Sequence, residues 1–594
     1  PFLGLGLFVL TCLCRWVAQG RLSLLTGLEM PIALLLLMAL VGWGISVNPW
    51  TSWTRFWGLI AGLVTFYAVA NHLASSGRSW QVVAGVAGLT LAIAAFCLVG
   101  VDWRNPRLLD PWGLYPRLPI LIGGLPHSGV GAARGLVNPR WIGMAMGLLL
   151  PVSLPTLVFG RDRLLRWLAA AAVLAGLLAL ALSQSIQGLA GLLAGVFFLL
   201  LWRSRWYALL VPLGLLLLLA VVLVLGPGNL AASLLTLNTW LGKGAVLRID
   251  MQSRALAMLA DMPYTGIGLN VFPFIQSHFY PGYLIGPEPT AHDLYFQTAL
   301  DFGLPGLFAF LWLVGGWGYS VWRNYRAAAD PGYRLLLVGL AAGVLAYLAH
   351  GFFDALMLGS KAGPPFWAIL GAGAVPPVAA ASDEEGFRES SRRNFLTRTY
   401  PFQALTLVLV VALSALFNPM GVVLNLAGVE AHTGVYQARI SGVVPVGLLT
   451  RAATHLRIVL SKDPLRALAY DHLASAGAWT GDYDQAVTAL YRRIALDGAS
   501  PYRTYYPPED WLRTLNSQES QPGGNWDDLL LIYSQWMHRY PAIAENYVRV
   551  ALVWERYKAN PAQALKILHA GLDQEAQPQG LLEYYLAQLE PNSP

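Results

Sequence analysis

Residues 164–202 read LLRWLAAAAVLAGLLALALSQSIQGLAGLLAGVFFLLLW, and this stretch decides the fold. It holds two apolar runs, 164–184 and 187–202, joined by a short polar step. A bilayer core of roughly 30 Å takes about 20 apolar residues in a helix. Backbone groups in lipid must bond within their own segment, so each run predicts a transmembrane helix.

Ten further runs of this kind occur along the chain, which predicts an all-α, polytopic bundle of about twelve membrane helices. They lie near 1–19, 31–48, 54–73, 80–101, 139–159, 206–227, 303–322, 333–358, 364–381 and 403–424. Because Pro1 falls inside the first run, we expect at least one earlier segment to precede it.

The composition excludes several classes of protein. Only 12% of the 594 residues are charged, against about 25% in soluble domains. Mean hydropathy is +0.52. These values exclude a water-soluble enzyme, a disordered chain and a nucleic-acid-binding domain. The three cysteines lie in apolar segments and predict neither disulfides nor a zinc site.

Arginines in short loops predict the orientation of the bundle. They collect in alternate loops, which we assign to the cytoplasmic side of a membrane; those loops follow runs one, three, five, seven, nine and eleven. The opposite side then receives 102–138, 228–302 and everything after 424. The arginines in these outer pieces break the rule, so we expect another reason for them; they are Arg104, Arg107, Arg117, Arg134 and Arg248.

The C-terminal part differs in kind and predicts a second domain at 425–594, after a membrane domain at 1–424. Residues 467–497 carry small residues, a Gly-Asp turn and apolar positions that are typical of a tetratricopeptide-like helix-turn-helix. A weaker copy covers 551–572. We expect an extracytoplasmic helical solenoid that offers a concave surface to an acceptor or an envelope protein.

The outer loop 228–302 carries the best chemical signals. Arg248 and Arg254 lie six residues apart on an amphipathic segment and would project about 120° apart, so they need not serve one site. A guanidinium there suits a phosphate or diphosphate, or it extends to lipid headgroups. His292 beside Asp293 is placed to accept a proton from an acceptor hydroxyl or to donate a hydrogen bond to a phosphate, although a lone histidine at the membrane surface is commonly just solvated.

In order and topology, residues 20–380 resemble the O-antigen ligase and O-antigen polymerase superfamily. The region 248–272 is similar to its pattern R-x-x-x-W … P-x-x-G-x-G-x-x-x-F. His292, Gly303 and Gly306 fit H-[N/S/Q]-x9-G-x-x-[G/T/Y], and 138–140 resembles its N-P-N segment. The resemblance implies glycan transfer from an undecaprenyl diphosphate carrier at the outer face of the bacterial cytoplasmic membrane, without metal, nucleotide or other cofactor.

The same resemblance implies roles for single residues. Arg248 would bind the diphosphate, and His292 would position or deprotonate the acceptor hydroxyl. Three positions depart from the pattern: Gln252 replaces a tryptophan, Asp293 replaces Asn, Ser or Gln, and Gln187 replaces an arginine. Since glutamine cannot neutralise a diphosphate, Arg134 or Arg254 would supply that charge, or activity would be changed or lost. Asp293 would raise the pKa of His292.

His350 and Asp354 lie one turn apart at the outer end of run ten. Ionisable residues in a membrane are expensive and often functional, but the two could instead simply bond each other and pin the helix. As partners we expect the lipid-linked glycan, a glycolipid, polysaccharide or protein acceptor, and membrane lipids, but no nucleic acid.

Several functions stay open at this point. A ligase, a repeat-unit polymerase and a protein O-oligosaccharyltransferase share donor chemistry. A glycolipid transporter would show repeated halves and ionisable residues near the midplane, which the sequence lacks. Gln187 keeps open a catalytically inactive scaffold.

Overall fold

The regular elements of the described residues are helices. A computed structural model describes residues 24–76, 78–100, 139–183, 185–209, 241–280, 289–355, 358–360, 363–374 and 418–496 and, with short gaps, 530–589. Its helices are α1 (Glu29–Gly44), α2 (Pro49–Ser76), α3 (Ser79–Gly100), α4 (Pro139–Phe159), α5 (Arg163–Ser183), α6 (Ile186–Arg203), α7 (Leu241–Asp261), α8 (Phe272–Phe279), α9 (Leu294–Ala327), α10 (Pro331–Gly351), α11 (Pro364–Ala374), α12 (Pro419–Ser441), α13 (Val446–Lys462), α14 (Ala467–Thr480), α15 (Tyr483–Leu496), α16 (Ala544–Arg556), α17 (Pro561–Asp573) and α18 (Gln579–Leu589).

Seven of these helices are long and apolar enough to cross a membrane, so the chain is a membrane protein. They are α2 to α6, α9 and α10, and they correspond to seven of the twelve predicted runs. Runs 31–48 and 364–381 form the shorter helices α1 and α11. The predicted runs 1–19, 206–227 and 403–424 lie wholly or mostly outside the described residues.

The chain divides into two compact units, which are described separately. Unit 1 comprises Pro1–Trp43, Trp50–Ala245 and Thr290–Val411, and unit 2 comprises Gly44–Pro49, Val246–Pro289 and Ala412–Pro594. The predicted domain boundary at residue 424 falls inside α12, and the segment that begins at Val246 belongs to unit 2.

In unit 1, α10 packs against α4 and α6. Small residues bring the backbones together, as is usual between membrane helices. A methyl group added at Gly191 of α6 would lie 2.7 Å from the carbonyl oxygen of Ala346, and one at Gly343 of α10 would lie 2.7 Å from that of Leu148. The glycines therefore fix how closely these three helices approach.

Helix α9 begins earlier than the predicted run 303–322. It starts at Leu294 and continues through a kink at Gly303, where φ is 71° and ψ is 174°. Only glycine adopts that conformation readily. Gly303 thus separates a first helical segment, residues 294–302, from a second segment that corresponds to the predicted run 303–322.

In unit 2, consecutive helices from α12 to α15 pack against each other, and so do α16, α17 and α18. Helix α14 ends at Gly481 with φ of 79°, so residues 467–496 form a helix-turn-helix in the predicted segment. Asn560 caps α17 in the second one. The assignment to tetratricopeptide-like repeats stays a prediction.

Candidate functional site

Two predicted residues of unit 1 form a pair. His292 precedes α9 in the left-handed region, with φ of 52°. Its Nδ1 lies 3.3 Å from Oδ1 of Asp354, and the two side chains are 24% and 23% exposed. A non-glycine residue held at positive φ is uncommon and marks positions where the surroundings dictate the backbone. The backbone at His292 is therefore fixed by its surroundings, while the side chains of His292 and Asp354 remain partly accessible to a small ligand group.

Local backbone geometry brings Asp354 to this position. Helix α10 ends at Gly351, and the N–H groups of Phe353 and Asp354 donate to the His350 carbonyl at 2.9 and 3.2 Å. The chain turns there, and the N–H of Ala355 donates to Asp354 Oδ1 at 2.9 Å. The turn thus presents the carboxylate of Asp354 to His292.

The electrostatics of Asp354 favour its anionic form. Burial alone would raise the pKa of this carboxyl group. The hydrogen bond and charge of His292, the charge of His350 and the Ala355 N–H outweigh burial and hold the pKa below its usual value of 3.8. Asp354 is therefore an anion at neutral pH and can orient the imidazole.

Asp293 has a structural contact at the start of α9, and its predicted effect on the pKa of His292 stays a prediction. Its carboxylate caps α9 by accepting the N–H of Phe296 at 2.8 Å. Burial raises the pKa of Asp293, against the lowering effect of the Phe296 and Tyr295 N–H groups. The carboxylate in contact with His292 is Asp354, whereas the sequence pointed to Asp293.

The structure places the predicted residues His350 and Gln187 near each other. His350 is 2% exposed, and neither ring nitrogen has a hydrogen-bond partner among the described residues. Gly191 packs on its Cβ, and the Gln187 backbone faces its ring. The structure pairs Asp354 with His292 in place of the predicted partner His350.

Gln187 lies in the first turn of α6. The Ser185 hydroxyl donates to Gln187 Oε1 at 3.4 Å and accepts the Gly188 N–H at 3.0 Å, which caps the helix. The short Ser-x-Gln-Gly segment thus orders the start of α6 with Gln187 half-buried.

Sequence reasoning missed a buried network beneath His292. The N–H of Ala291 donates to Gln297 Oε1 at 2.9 Å, and Gln297 Nε2 donates to Asp301 Oδ1 at 3.0 Å. Asp301 interacts in turn with Arg55 of α2 through its charge. An arginine within an apolar run was the available signal, because a charge there is costly unless it is compensated.

The predicted arginines of unit 2 differ in burial. Arg248 is half-buried in α7. Arg254, one and a half turns later, is 9% exposed, and its Nη1 donates to the Tyr280 carbonyl at 2.9 Å. Gly266 and Gly268 after α7 have φ of 68° and 101°, as expected for a tight turn. Arg134 lies outside the described residues.

Among the described residues, no group of three His, Cys, Asp or Glu side chains is placed to hold a metal ion. In unit 1, a half-buried histidine contacts an anionic carboxylate, which suits proton transfer. In unit 2, the half-buried Arg248 suits the binding of an anionic group.

These features define a polytopic helical membrane protein with polar groups suited to group transfer. Comparison with known families shows that residues 169–311, roughly a quarter of the chain, match the O-antigen ligase family. The matched part contains Gln187, Arg248, Arg254, His292 and Asp293. Its similarity supports a ligase or polymerase role in a membrane. Comparison with curated proteins gives no match for this chain.

Proposed function

We propose that the chain is a membrane glycosyltransferase of the O-antigen ligase type. It would move a glycan from an undecaprenyl diphosphate carrier to an acceptor hydroxyl at the outer face of the bacterial cytoplasmic membrane. The observation that carries this proposal is the His292–Asp354 pair at 3.3 Å within a chain whose residues 169–311 resemble O-antigen ligases.

In the proposed reaction the acceptor oxygen attacks the anomeric carbon of the glycan. The new glycosidic C–O bond forms as the C–O bond to the carrier diphosphate breaks, and the bond's electron pair leaves with the diphosphate. His292 accepts the hydroxyl proton while Asp354 orients the ring. The proton then passes to water or to the released diphosphate.

Arg248 has the second role in the proposal, which is to bind the diphosphate and stabilise its growing negative charge. A guanidinium offers paired N–H donors that match phosphate oxygens, and such donors stabilise charge that develops in the transition state. Arg254 is less suited to this role because it is only 9% exposed, whereas Arg248 is half-buried. Gln187 can offer a hydrogen bond only.

The test uses the full chain in liposomes with undecaprenyl-diphosphate-linked glycan, with and without an added acceptor. Release of carrier diphosphate is measured for wild type, Arg248→Ala and His292→Ala. His455→Ala is the matched control, because His455 also pairs with a carboxylate, Glu430, at 2.8 Å and is 27% exposed. We expect His292→Ala to lower turnover about 10²–10⁴-fold, the range for a general base, and the control to match wild type.

The products separate the related activities. Longer glycans without acceptor indicate a polymerase, and a strict need for acceptor indicates a ligase. Turnover that survives both substitutions contradicts the assigned residues. If the wild type releases no carrier diphosphate with any of several donors, the proposed enzymatic activity is contradicted. That result would favour a catalytically inactive scaffold, in agreement with Gln187, which cannot neutralise a diphosphate.

A further inference from the structure

Four buried polar side chains that the proposed reaction does not use meet in unit 2. Asp261 ends α7, Tyr280 follows α8, His432 lies in α12 and His472 lies in α14. Each is at most 2% exposed. Burying polar groups costs free energy unless they form hydrogen bonds, so the contacts among these side chains matter for the fold of unit 2.

Hydrogen bonds link three of these side chains. Tyr280 Oη donates to Asp261 Oδ2 at 2.7 Å. His472 Nε2 lies 3.2 Å from Asp261 Oδ2 and 3.2 Å from Tyr280 Oη. His472 thus contacts both the last residue of α7 and the residue that follows α8.

The same tyrosine also holds an arginine of α7. The Tyr280 carbonyl accepts the Arg254 Nη1 hydrogen bond at 2.9 Å. Tyr280 therefore connects two residues: its hydroxyl contacts His472 in the C-terminal helices, and its backbone carbonyl contacts Arg254 in α7. Arg248 lies on the same helix, about one and a half turns nearer its start.

Two neighbouring contacts secure the end of α7 in the same way. Asn425 Oδ1 of α12 accepts the N–H groups of Tyr264 and Thr265 at 3.2 and 3.3 Å. Arg466 Nη2, just before α14, donates to the Ala260 carbonyl at 3.3 Å. The C-terminal helices thus bind both the backbone and the side chains of the segment that carries the arginines.

We propose that His472 is a positioning residue, which fixes α7 through Asp261 and Tyr280 and thereby sets the place of Arg248. This rests on the proposed function for the role of Arg248. A shift of about 1 Å in a group that binds a reacting phosphate can cost on the order of 10²-fold in rate. A helix on an outer segment needs such an anchor, and the C-terminal helices supply it.

The test compares His472→Leu, which removes the ring nitrogens, with His472→Gln, whose amide can still reach Asp261. Asp471→Asn is the matched control. Asp471 is the neighbouring residue and equally buried, but it pairs with Arg493 of α15 at 2.7 Å. Full-length variants in lipid nanodiscs are compared by amide hydrogen exchange and by KM and kcat for the undecaprenyl-diphosphate-linked glycan.

We expect His472→Leu to speed exchange across 246–280 and, because Arg248 shifts with α7, to raise KM for the carrier and lower kcat, by up to on the order of 10²-fold in kcat/KM. His472→Gln should restore these values. Asp471→Asn should speed exchange in α14 and α15 only. Unchanged exchange in 246–280 for His472→Leu, or an equal change in the control, would overturn the proposal.

The two proposals fail separately in this design. If exchange responds as expected but the wild type does not release carrier diphosphate, the positioning role holds and the proposed function fails. If His292→Ala abolishes turnover while His472→Leu leaves exchange and KM unchanged, the function holds and the positioning role fails.

Discussion

Two aspartate–histidine pairs of nearly equal length have different surroundings. Asp354 and His292 are 3.3 Å apart with side chains 23% and 24% exposed, while Asp261 and His472 are 3.2 Å apart with both 1% exposed. Tyr280 lies beside the second pair, and its hydroxyl donates to Asp261 Oδ2 at 2.7 Å. Distance alone therefore does not define a catalytic pair. A catalytic pair must also be accessible to a substrate group. Asp354 and His292, the open pair, are accessible in this way. Asp261 and His472, the sealed pair, are buried and bond to Tyr280 instead.

The sealed pair should matter most for stability. Replacing Asp261 by Leu removes the buried acceptor that Tyr280 Oη and His472 Nε2 share, and leaves these two atoms with each other as partners, 3.2 Å apart. We expect a loss of about 3–5 kcal/mol, the range for breaking a buried pair by removing one partner. Thermal unfolding of the full chain in detergent measures the loss. A variant as stable as wild type would contradict the structural role of this pair.

The open pair should matter most for rate. Asp354→Asn removes the anion that orients His292 but keeps the side chain's size. We expect turnover to fall about 10- to 100-fold, because a hydrogen bond to a charged group is worth about 1.5–3 kcal/mol. The unfolding temperature should change little, since both side chains reach solvent. Glu430→Gln, beside His455, is the control and should keep wild-type turnover.

The packing that supports the open pair can be tested through a glycine. An added methyl group at Gly191 would lie 2.7 Å from the Ala346 carbonyl and 3.2 Å from the His350 Cβ. We expect Gly191→Ala to cost about 1–3 kcal/mol as overpacking and to lower turnover by shifting the end of α10. Gly88→Ala is the control, because nothing lies within 4 Å of that position. Equal behaviour of the two variants would contradict the close packing of α6 on α10.

The smallest effect concerns pH. Burial, and then the charge of His472, hold the pKa of His432 well below 6.5. The unfolded chain then binds more protons than the folded one as pH falls below about 6.5, so the contribution of His432 is fully present above that pH and is lost towards the folded pKa. Asp261, Tyr280 and His472 share this region.

We therefore expect the unfolding temperature of unit 2 to fall between about pH 7 and about pH 5, where histidine titrates. His432→Phe should flatten part of this dependence, because phenylalanine keeps the ring against Phe279, whose centroid is 4.1 Å away. Amide exchange in α12 and α14 at each pH locates the change. If the unfolding temperature of His432→Phe depends on pH as in the wild type, the dependence comes from other titratable groups and the role of His432 is contradicted.

Much of the fold could be predicted from the sequence, because a membrane-spanning segment must be helical and about 20 apolar residues long. Seven predicted runs are the seven candidate spans. The predicted start of run nine at residue 303 coincides with the kink at Gly303, after which the second segment of α9 begins. The sequence did not indicate the preceding helical segment 294–302, which Asp293 caps.

The site was less accessible, because its partners are far apart along the chain. His292 was singled out through its motif, but its contact with Asp354 spans 62 residues. The link from Asp261 to His472 spans 211 residues. Spacing along the sequence predicts contacts within one helix turn, such as the predicted contact of His350 with Asp354. It does not predict contacts between residues that are far apart in the sequence. Arg55 and Asp301 went unnoticed for the same reason.

The central claim is that His292 and Asp354 act as one catalytic pair. A double-mutant cycle tests it most directly, with carrier diphosphate release measured for wild type, His292→Ala, Asp354→Asn and the double variant. Residues that act through one another show strongly non-additive effects. The account predicts that Asp354→Asn has almost no further effect once His292 is alanine. Fully additive losses in the double variant would contradict it.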